Sequence, residues 1–424
     1  MDVDNTDRRI LILGAGPQQL KLISKARARG AFVVVLDRNR NAPGVPMASQ
    51  YVECDMLDIG KAVSIAKKYK IDAIATGGSD QVMLTVAAIA EACHLPCHLS
   101  EESAFRATNK VAMTQGFQKW GVPVGRRAFL KYDQQEKFID DFHYPLVIKP
   151  ADAQGQIGMS LIGNQTQLRE AICLATEHSR SKTVTVEEFI EGPEIAAGAW
   201  LVDGKLHLLA VTDRPTYNPP PSLGISLQHI LPSKAAENNL DEIADMLAKV
   251  ASAYDVTQGP LHAQIIMSPS GPKMMEVGCR YGGANEVDLY KHALGIDEIE
   301  LLLDLAFGHP QHFDFDIRHH GFKLHGVINM VVAREGVLAK HESMDRFIQT
   351  GEIIDGGWYR KNGFIQQKII DAYGRIGWFL VTGNTREAVL ARAADLYSKL
   401  SVTNESGENL IFWPDRKYLN SCDR

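Results

Sequence analysis

Ile10-Leu11-Ile12-Leu13 is an uninterrupted apolar run, the pattern of a strand buried on both faces. Gly14-Ala15-Gly16-Pro17 breaks it, and Leu20, Ile23 and Ala26 then recur at helical spacing within residues 18–29. A second apolar run over 32–36 is closed by Asp37, and Tyr51-Val52 reads as a third short strand. A helix is expected over 59–69, a strand over 73–75, and a helix from Asp80 to about Cys93. Strands separated by helices imply right-handed crossovers and a parallel sheet covered on both faces.

Beyond about Glu101 the pattern changes. Two short helices flank Thr108-Asn109-Lys110, and Gly121-Val122-Pro123 punctuates the chain. Strand pairs follow: 145–149 with 159–162, 183–189 with 195–202, then a further strand over 205–212. Pro219-Pro220-Pro221 sits in a long loop starting near Arg214, and 239–254 is an amphipathic helix. Strands over 261–267 and 273–277 are joined by Pro269-Ser270-Gly271-Pro272, a hairpin pattern. This middle third reads as a mostly antiparallel α+β module. Strands over 324–332 and 377–382 and a helix over 386–400 complete the chain, without internal repeats.

Composition narrows the class rather than the chemistry. A chain of 424 residues, 45% hydrophobic and 23% charged, has globular values and room for two to four domains. Forty-five Lys and Arg against 51 Asp and Glu leave a net charge of −6, too mild to imply a nucleic-acid partner. No apolar run approaches a membrane span, and the acidic, polar stretch of residues 1–5 is unlike a signal peptide. Six cysteines in such a length do not read as a disulfide framework. The expectation is a reduced, cytoplasmic, multidomain protein.

Several motifs could carry chemistry. Gly14-Ala15-Gly16-Pro17-Gln18-Gln19 resembles a dinucleotide fingerprint, with Asp37 where a ribose-binding acid would sit. Gln19 stands where the third glycine belongs, so an NAD-dependent dehydrogenase is a distant alternative to a plain strand-to-helix turn. Cys93-His94-Leu95-Pro96-Cys97-His98 resembles a zinc knuckle, but a structural zinc site needs a second ligand pair at a defined distance and none is evident nearby, so a helix end followed by a strand is the plainer reading. His319-His320 reads as a solvated pair in a linker.

The middle third is more coherent. Lys149 ends an apolar strand, and the glycine-containing loop over 152–159 follows it; such a loop can lay backbone amides over phosphates while the lysine supplies charge. The segment 186–194 leaves a strand through a bend rich in acids, and Glu276, Arg280 and Gly282-Gly283 close another. An acid beside a nucleotide can hold Mg²⁺, and an arginine can steady a transferring phosphoryl group.

In this order and spacing the chain resembles the ATP-grasp superfamily, specifically its carboxylate–amine ligases of the L-amino-acid ligase type. The resemblance implies a mixed α/β and α+β architecture: a Rossmann-like parallel-sheet domain over 1–108, an ATP-grasp domain over 109–318, and a small α+β C-terminal domain over 319–424. It implies that Lys110 and Lys149 contact ATP phosphates and that Gly155, Gln156 and Gly158 belong to a glycine-rich lid. Glu187, Glu188 and Ile190 match the hinge, whose backbone at Glu188 and Ile190 would meet the adenine edge. Glu194 matches the ribose-binding acid, Glu276 the metal acid, and Arg280 the acyl-phosphate arginine. The triple-proline segment over 212–232 resembles the border of the acid-substrate pocket.

Two positions depart from the family pattern. Gln264 stands where a first metal-binding Glu is usual and offers a carbonyl oxygen without charge; Gly278 stands where Asn is usual and offers no ligand. The implied activity is ATP-dependent joining of a small carboxylate to an amine through an acyl phosphate, with ATP and Mg²⁺ as cofactors. Small-molecule acid and amine are the expected partners, with a homodimer left open and no nucleic acid or membrane. A bicarbonate-activating carboxylase and a non-catalytic ATP-binding protein are the alternatives. No Ser-His-Asp or Cys-His arrangement suggests a covalent enzyme intermediate.

Overall fold

The computed structural model describes residues 6–131, 141–153 and 155–420. Residues 1–5, read above as unlike a signal peptide, and Gln154 of the glycine loop lie outside them. Strands β1 (Arg9–Leu13), β2 (Phe32–Asp37), β3 (Gln50–Glu53) and β4 (Ala73–Ala75) form a parallel sheet in the order β3-β2-β1-β4. Alternation decides which helix each strand residue meets. Ile10 and Ile12 share a core with Leu22 and Ile23 of α1 (Leu20–Ala28). Leu11 and Leu13 pack with Ala62 and Ala66 of α2 (Ile59–Tyr69) and with Val86 and Ile89 of α3 (Met83–Cys93). Helix α3 starts three residues later than the sequence predicts, because Asp80 is engaged elsewhere: its side chain bonds Arg280 and its carbonyl accepts the Met83 N–H.

After α4 (Glu101–Thr108) and α5 (Lys110–Lys119) come β5 (Arg127–Lys131), β6 (Leu146–Pro150), β7 (Ser160–Ile162), α6 (Leu168–Glu177) and β8 (Thr183–Glu188). The four strands make an antiparallel sheet in the order β5-β8-β6-β7, and α6 covers one face through Ala171, Ile172 and Ala175.

The expected pairing of 183–189 with 195–202 does not occur. Strand β8 lies in the small sheet, whereas β9 (Glu194–Val202) pairs with β10 (Lys205–Asp213) and with β14 (Gly259–Ser268). The bend Glu191-Gly192-Pro193 carries the chain from one sheet to the other. Gly192 has φ +145°, and a Cβ there would lie 2.2 Å from the Met267 carbonyl oxygen, so only glycine permits this close approach. The Met267 N–H donates to Pro193 O and locks the crossing.

Short strands β11 (Thr216–Tyr217) and β12 (Ile225–Ser226) precede β13 (Gln228–Leu231) and α7 (Leu240–Tyr254). The hairpin of β14 with β15 (Gly271–Gly278) forms as the sequence predicts. Helix α8 (Glu286–Leu294) leads towards β16 (His325–Val332). The large sheet runs β15-β14-β9-β10-β13-β16 and continues through Arg375–Gly383 to Asp355–Trp358. One sheet therefore extends across residue 318, with Ile230 beside Val327. Helix Arg386–Lys399 packs Val389, Ala393 and Leu396 on its far end. Among the described residues, no helix is long and apolar enough to cross a membrane.

Candidate active site

A cleft opens between the small sheet and the large one. From the small sheet, Arg127, Lys149 and Glu187 line it; from the large sheet come Glu194, Gln264 and Glu276. Lys110, Gly155 and Gln156 of the loop between β6 and β7, and Glu188 and Ile190 at the end of β8, complete its wall.

Each cation is delivered by local structure. Lys110 opens α5, whose first turn is capped by Asn109 Oδ1 accepting from Val111 and Ala112 N–H. Its Nζ donates to Ala153 O at 3.1 Å and lies 3.4 Å from Glu276 Oε1. Lys149 is buried on β6, and its Nζ bonds Glu187 Oε2 at 2.9 Å. Arg127 Nη1 stands 3.7 Å from the other Glu187 oxygen. Burial pushes the Glu187 carboxyl upward, but Lys149 and Arg127 outweigh it and hold the group below its ordinary range. Glu276 follows the same logic: burial raises it, and Lys110, Lys149 and Arg280 bring it down. The cleft therefore keeps both acids ionised among fixed cations.

Ile190 reaches over Gly125, where a Cβ would sit 2.7 Å from Ile190 Cδ1. The Glu188 side chain turns outward, its Oε1 accepting from the His143 N–H at 3.0 Å. Glu194 forms a buried ion pair with Arg214. Gln264 and Glu276 are direct cross-strand partners on β14 and β15. This pair offers a carbonyl and a charged carboxylate side by side, which fits a hard cation that takes its remaining oxygens from phosphates and water. Gly158 is not on the cleft wall; it packs under His178 and Pro150.

Arg280 likewise lies outside the first cleft and lines a second, which shares Gly155, Gln156, Arg214, Gln264 and Glu276 with it. Its Nη2 donates to Asp80 Oδ2 at 2.6 Å and its Nη1 to Tyr281 O at 3.0 Å. At another wall, Glu286 Oε1 lies 3.2 Å from His229 Nδ1 and 3.0 Å from His262 Nε2. Burial works against the Glu286 charge, yet the two histidines hold its carboxyl well below the ordinary value. Arg375 and Tyr373 close the cavity from the C-terminal side, and the Ala372 N–H donates to Gly155 O, tying that loop to the one between β6 and β7.

Sequence reasoning missed Asp80, Arg127, His229, Glu286 and Arg375 as site residues. One available signal was the i, i+2 spacing of His262 and Gln264, which puts both on one face of β14.

Two other motifs resolve into structural roles. The Gln19 side chain fills the turn over Gly14 and Gly16 and donates to Gly77 O at 2.6 Å. Asp37 Oδ2 accepts from the Ala15 N–H at 2.9 Å. The amide and the space that a dinucleotide pyrophosphate would use are thus taken by protein groups, which counts against the dehydrogenase reading. His98 Nε2 pairs with Cys279 O at 2.9 Å, and among the described residues no group of three or more His, Cys, Asp or Glu could hold a metal ion.

Residues 142–288 match the ATP-grasp domain family. The chain is 23% identical over 401 residues to the uncharacterized protein y4rH of Sinorhizobium fredii, covering 89% of this chain and 81% of the relative. It is 24% identical over 303 residues to the phosphoribosylamine–glycine ligase of Pyrococcus horikoshii, covering 66% of this chain and 68% of that enzyme. The crystal structure of L-amino acid ligase from Bacillus licheniformis superposes with a TM-score of 0.80 at 20% identity, covering 95% of this chain and all of that one (100%). Residues 142–288 thus carry an ATP-grasp domain, and the chain has the fold of the L-amino acid ligase structure.

Proposed function

We propose that this protein joins a small carboxylate to an amine at the expense of ATP, releasing ADP and phosphate. The observation that supports it best is the pair of adjoining cavities with Glu276 and Gln264 in their common wall. The first suits a nucleotide: a hinge, two lysines and a buried acid. The second is lined mostly by polar and charged groups, which suits a small, polar acid rather than an aliphatic one.

In this reading ATP lies in the cleft, with its phosphates against Lys110 and Lys149. Mg²⁺ held by Glu276 and Gln264 would offset phosphate charge. A carboxylate oxygen attacks the γ-phosphorus; the new O–P bond forms as the bond to the β-phosphate oxygen breaks, and ADP leaves. Arg280 steadies the anionic oxygens of the acyl phosphate. The amine nitrogen then attacks the acyl carbon, the C–O bond to phosphate breaks, and the amine proton passes to the His229–Glu286–His262 cluster or to water. The lid loop excludes water from the acyl phosphate. Rate enhancement comes from positioning and charge. The proposed division of the chain is residues 1–108, 109–318 and 319–424, with the large sheet shared across its second boundary.

The test is ADP release with Mg·ATP and pools of amino acids, hydroxy acids and amines, beside Lys149→Ala. Release that needs both acid and amine, with a new amide mass, supports the ligase. Stimulation by bicarbonate alone would replace it with a carboxylase. Nucleotide binding without turnover across the panel would leave a binding protein.

A further inference from the structure

Gly278 has no room for a side chain, and the group that takes the room comes from another part of the fold. A Cβ on Gly278 would lie 2.0 Å from Asp80 Oδ1 and 3.4 Å from Arg280 Nε. Asp80 stands between β4 and α3, 200 residues from Arg280 in sequence, yet its Oδ2 accepts from Arg280 Nη2 at 2.6 Å. Both side chains are largely buried, at 15% and 12% exposure. Burial acts against the guanidinium charge, and the Asp80 carboxylate more than restores it.

The contact is held from several sides. The Arg280 Nη1 donates to its neighbour's carbonyl, so the guanidinium is fixed between backbone and Asp80. The loop bearing Asp80 is pressed onto the segment after Arg280: a Cβ on Gly77 would collide with the Tyr281 hydroxyl, at 1.7 Å. Gln18 Nε2 donates to Gly283 O at 2.7 Å across the same seam. Glycine at 278 and the acid at 80 therefore form a matched pair, since any side chain at 278 would displace the carboxylate.

We propose that Asp80 is the positioning residue for Arg280: a carboxylate sent from the N-terminal sheet into the volume left by Gly278, so that the N-terminal module completes the acyl-phosphate end of the site. The proposal rests on the ligase reading above, in which Arg280 meets the acyl phosphate. A pair that only docked the two modules would hold them together without setting the rate of chemistry.

The test uses the full chain as Asp80→Asn, Asp80→Gly, Gly278→Asp, the double Asp80→Gly/Gly278→Asp, and Arg280→Ala. ADP release is read with Mg·ATP and the twenty amino acids as probe, and thermal unfolding is read in parallel. Each single change at 80 or 278 is expected to lower kcat by at least about tenfold while KM for ATP stays within about twofold, the signature of an interaction made in the transition state. The double variant, which moves the acid from the loop after β4 to the end of β15, should regain most of the lost rate and unfold at a higher temperature than Gly278→Asp alone. Unchanged kcat in Asp80→Asn and Asp80→Gly would overturn the proposal. So would a double variant no better than the worse single, or a loss confined to KM for ATP. Arg280→Ala separates the two claims: if it keeps full activity, the ligase role of Arg280 fails; if it loses activity while the Asp80 variants do not, only the positioning role fails. A wild type that releases no ADP would overturn both.

Discussion

Lys149 Nζ lies 2.9 Å from Glu187 Oε2 inside the cleft proposed for nucleotide. The lysine is thus neutralised by a neighbouring strand before any phosphate arrives, and Arg127 stands 3.7 Å behind the same carboxylate. A triphosphate entering this cleft would share Lys149 with Glu187 rather than meet a bare cation. Lys149→Met should therefore lower ATP-dependent turnover by about a hundredfold or more, the scale of losing one donor to a developing anion. Initial rates of ADP release check it. The variant should also melt earlier, because Glu187 would lose its nearest buried counter-charge.

Glu298 makes stability depend on pH. It is buried at the start of helix Glu298–Ala306, and its Oε2 has no hydrogen-bond partner among the described residues. Burial, then the charges of Glu286 and Asp297, push its carboxyl up to about 8. The folded chain thus binds a proton that the unfolded chain releases near 4.5. Stability falls as pH rises between these two values, at up to about 1.4 kcal/mol per pH unit for one group. Glu298→Gln keeps the shape and removes the titration, so it should gain on the wild type from pH 5 to pH 8 and level off above. Urea unfolding at pH 5, 6.5 and 8 reads the difference; parallel wild-type and variant curves would contradict the assignment.

The contrast between Lys149 and Asp80 shows what could be read from the chain alone. Lys149, Glu187 and Glu276 announce themselves because each sits on a strand whose apolar neighbours mark it, and the groups they face lie on the adjacent strands. The parallel sheet was legible for the same reason: Ile10–Leu13 is apolar at every position, as burial on both faces demands. Asp80 carries no such mark, since its meaning depends on a glycine 198 positions later (278 − 80). Glu286 is similar, gathered with His229 and His262 from a helix and two non-adjacent strands. After Glu188, nearness in sequence suggests a hairpin, whereas the Gly192 bend carries the chain into a different sheet.

Gln264 offers a direct handle on the cation. It faces Glu276 across the β14–β15 pair, so Gln264→Glu would put two carboxylates side by side. With Mg²⁺ or Mn²⁺ and ATP present, the added charge should tighten metal binding and lower the metal concentration needed for half-maximal rate by several-fold. Without metal, the paired acids should repel and lower the melting temperature. Mn²⁺ titration followed by electron spin resonance, with melting curves in chelator and in excess metal, tests both signs. A variant destabilised equally in both conditions would show that this pair does not meet the cation.

The last described residues reach the cleft proposed for nucleotide. Leu419 and Asn420 pair with Tyr217 and Thr216 of β11, and Tyr418 O accepts the Asn218 N–H at 2.8 Å. Asn420 lines the cleft and its Nδ2 donates to Gly192 O at 3.0 Å, at the bend that joins the two sheets. These residues therefore brace the bend that carries the chain from β8 to the large sheet. Removing residues 419–424 should raise KM for ATP by about five- to tenfold, on the order of one or two net hydrogen bonds, with kcat changed much less. Asn420→Ala should reproduce part of that rise, and Asn420→Asp should exceed it, because the carboxylate cannot donate to Gly192 O and adds charge near the nucleotide. Calorimetric titration with ATP and Mg²⁺ measures the affinity directly, and equal affinity in the truncated and full chains would show that the tail braces nothing the nucleotide uses.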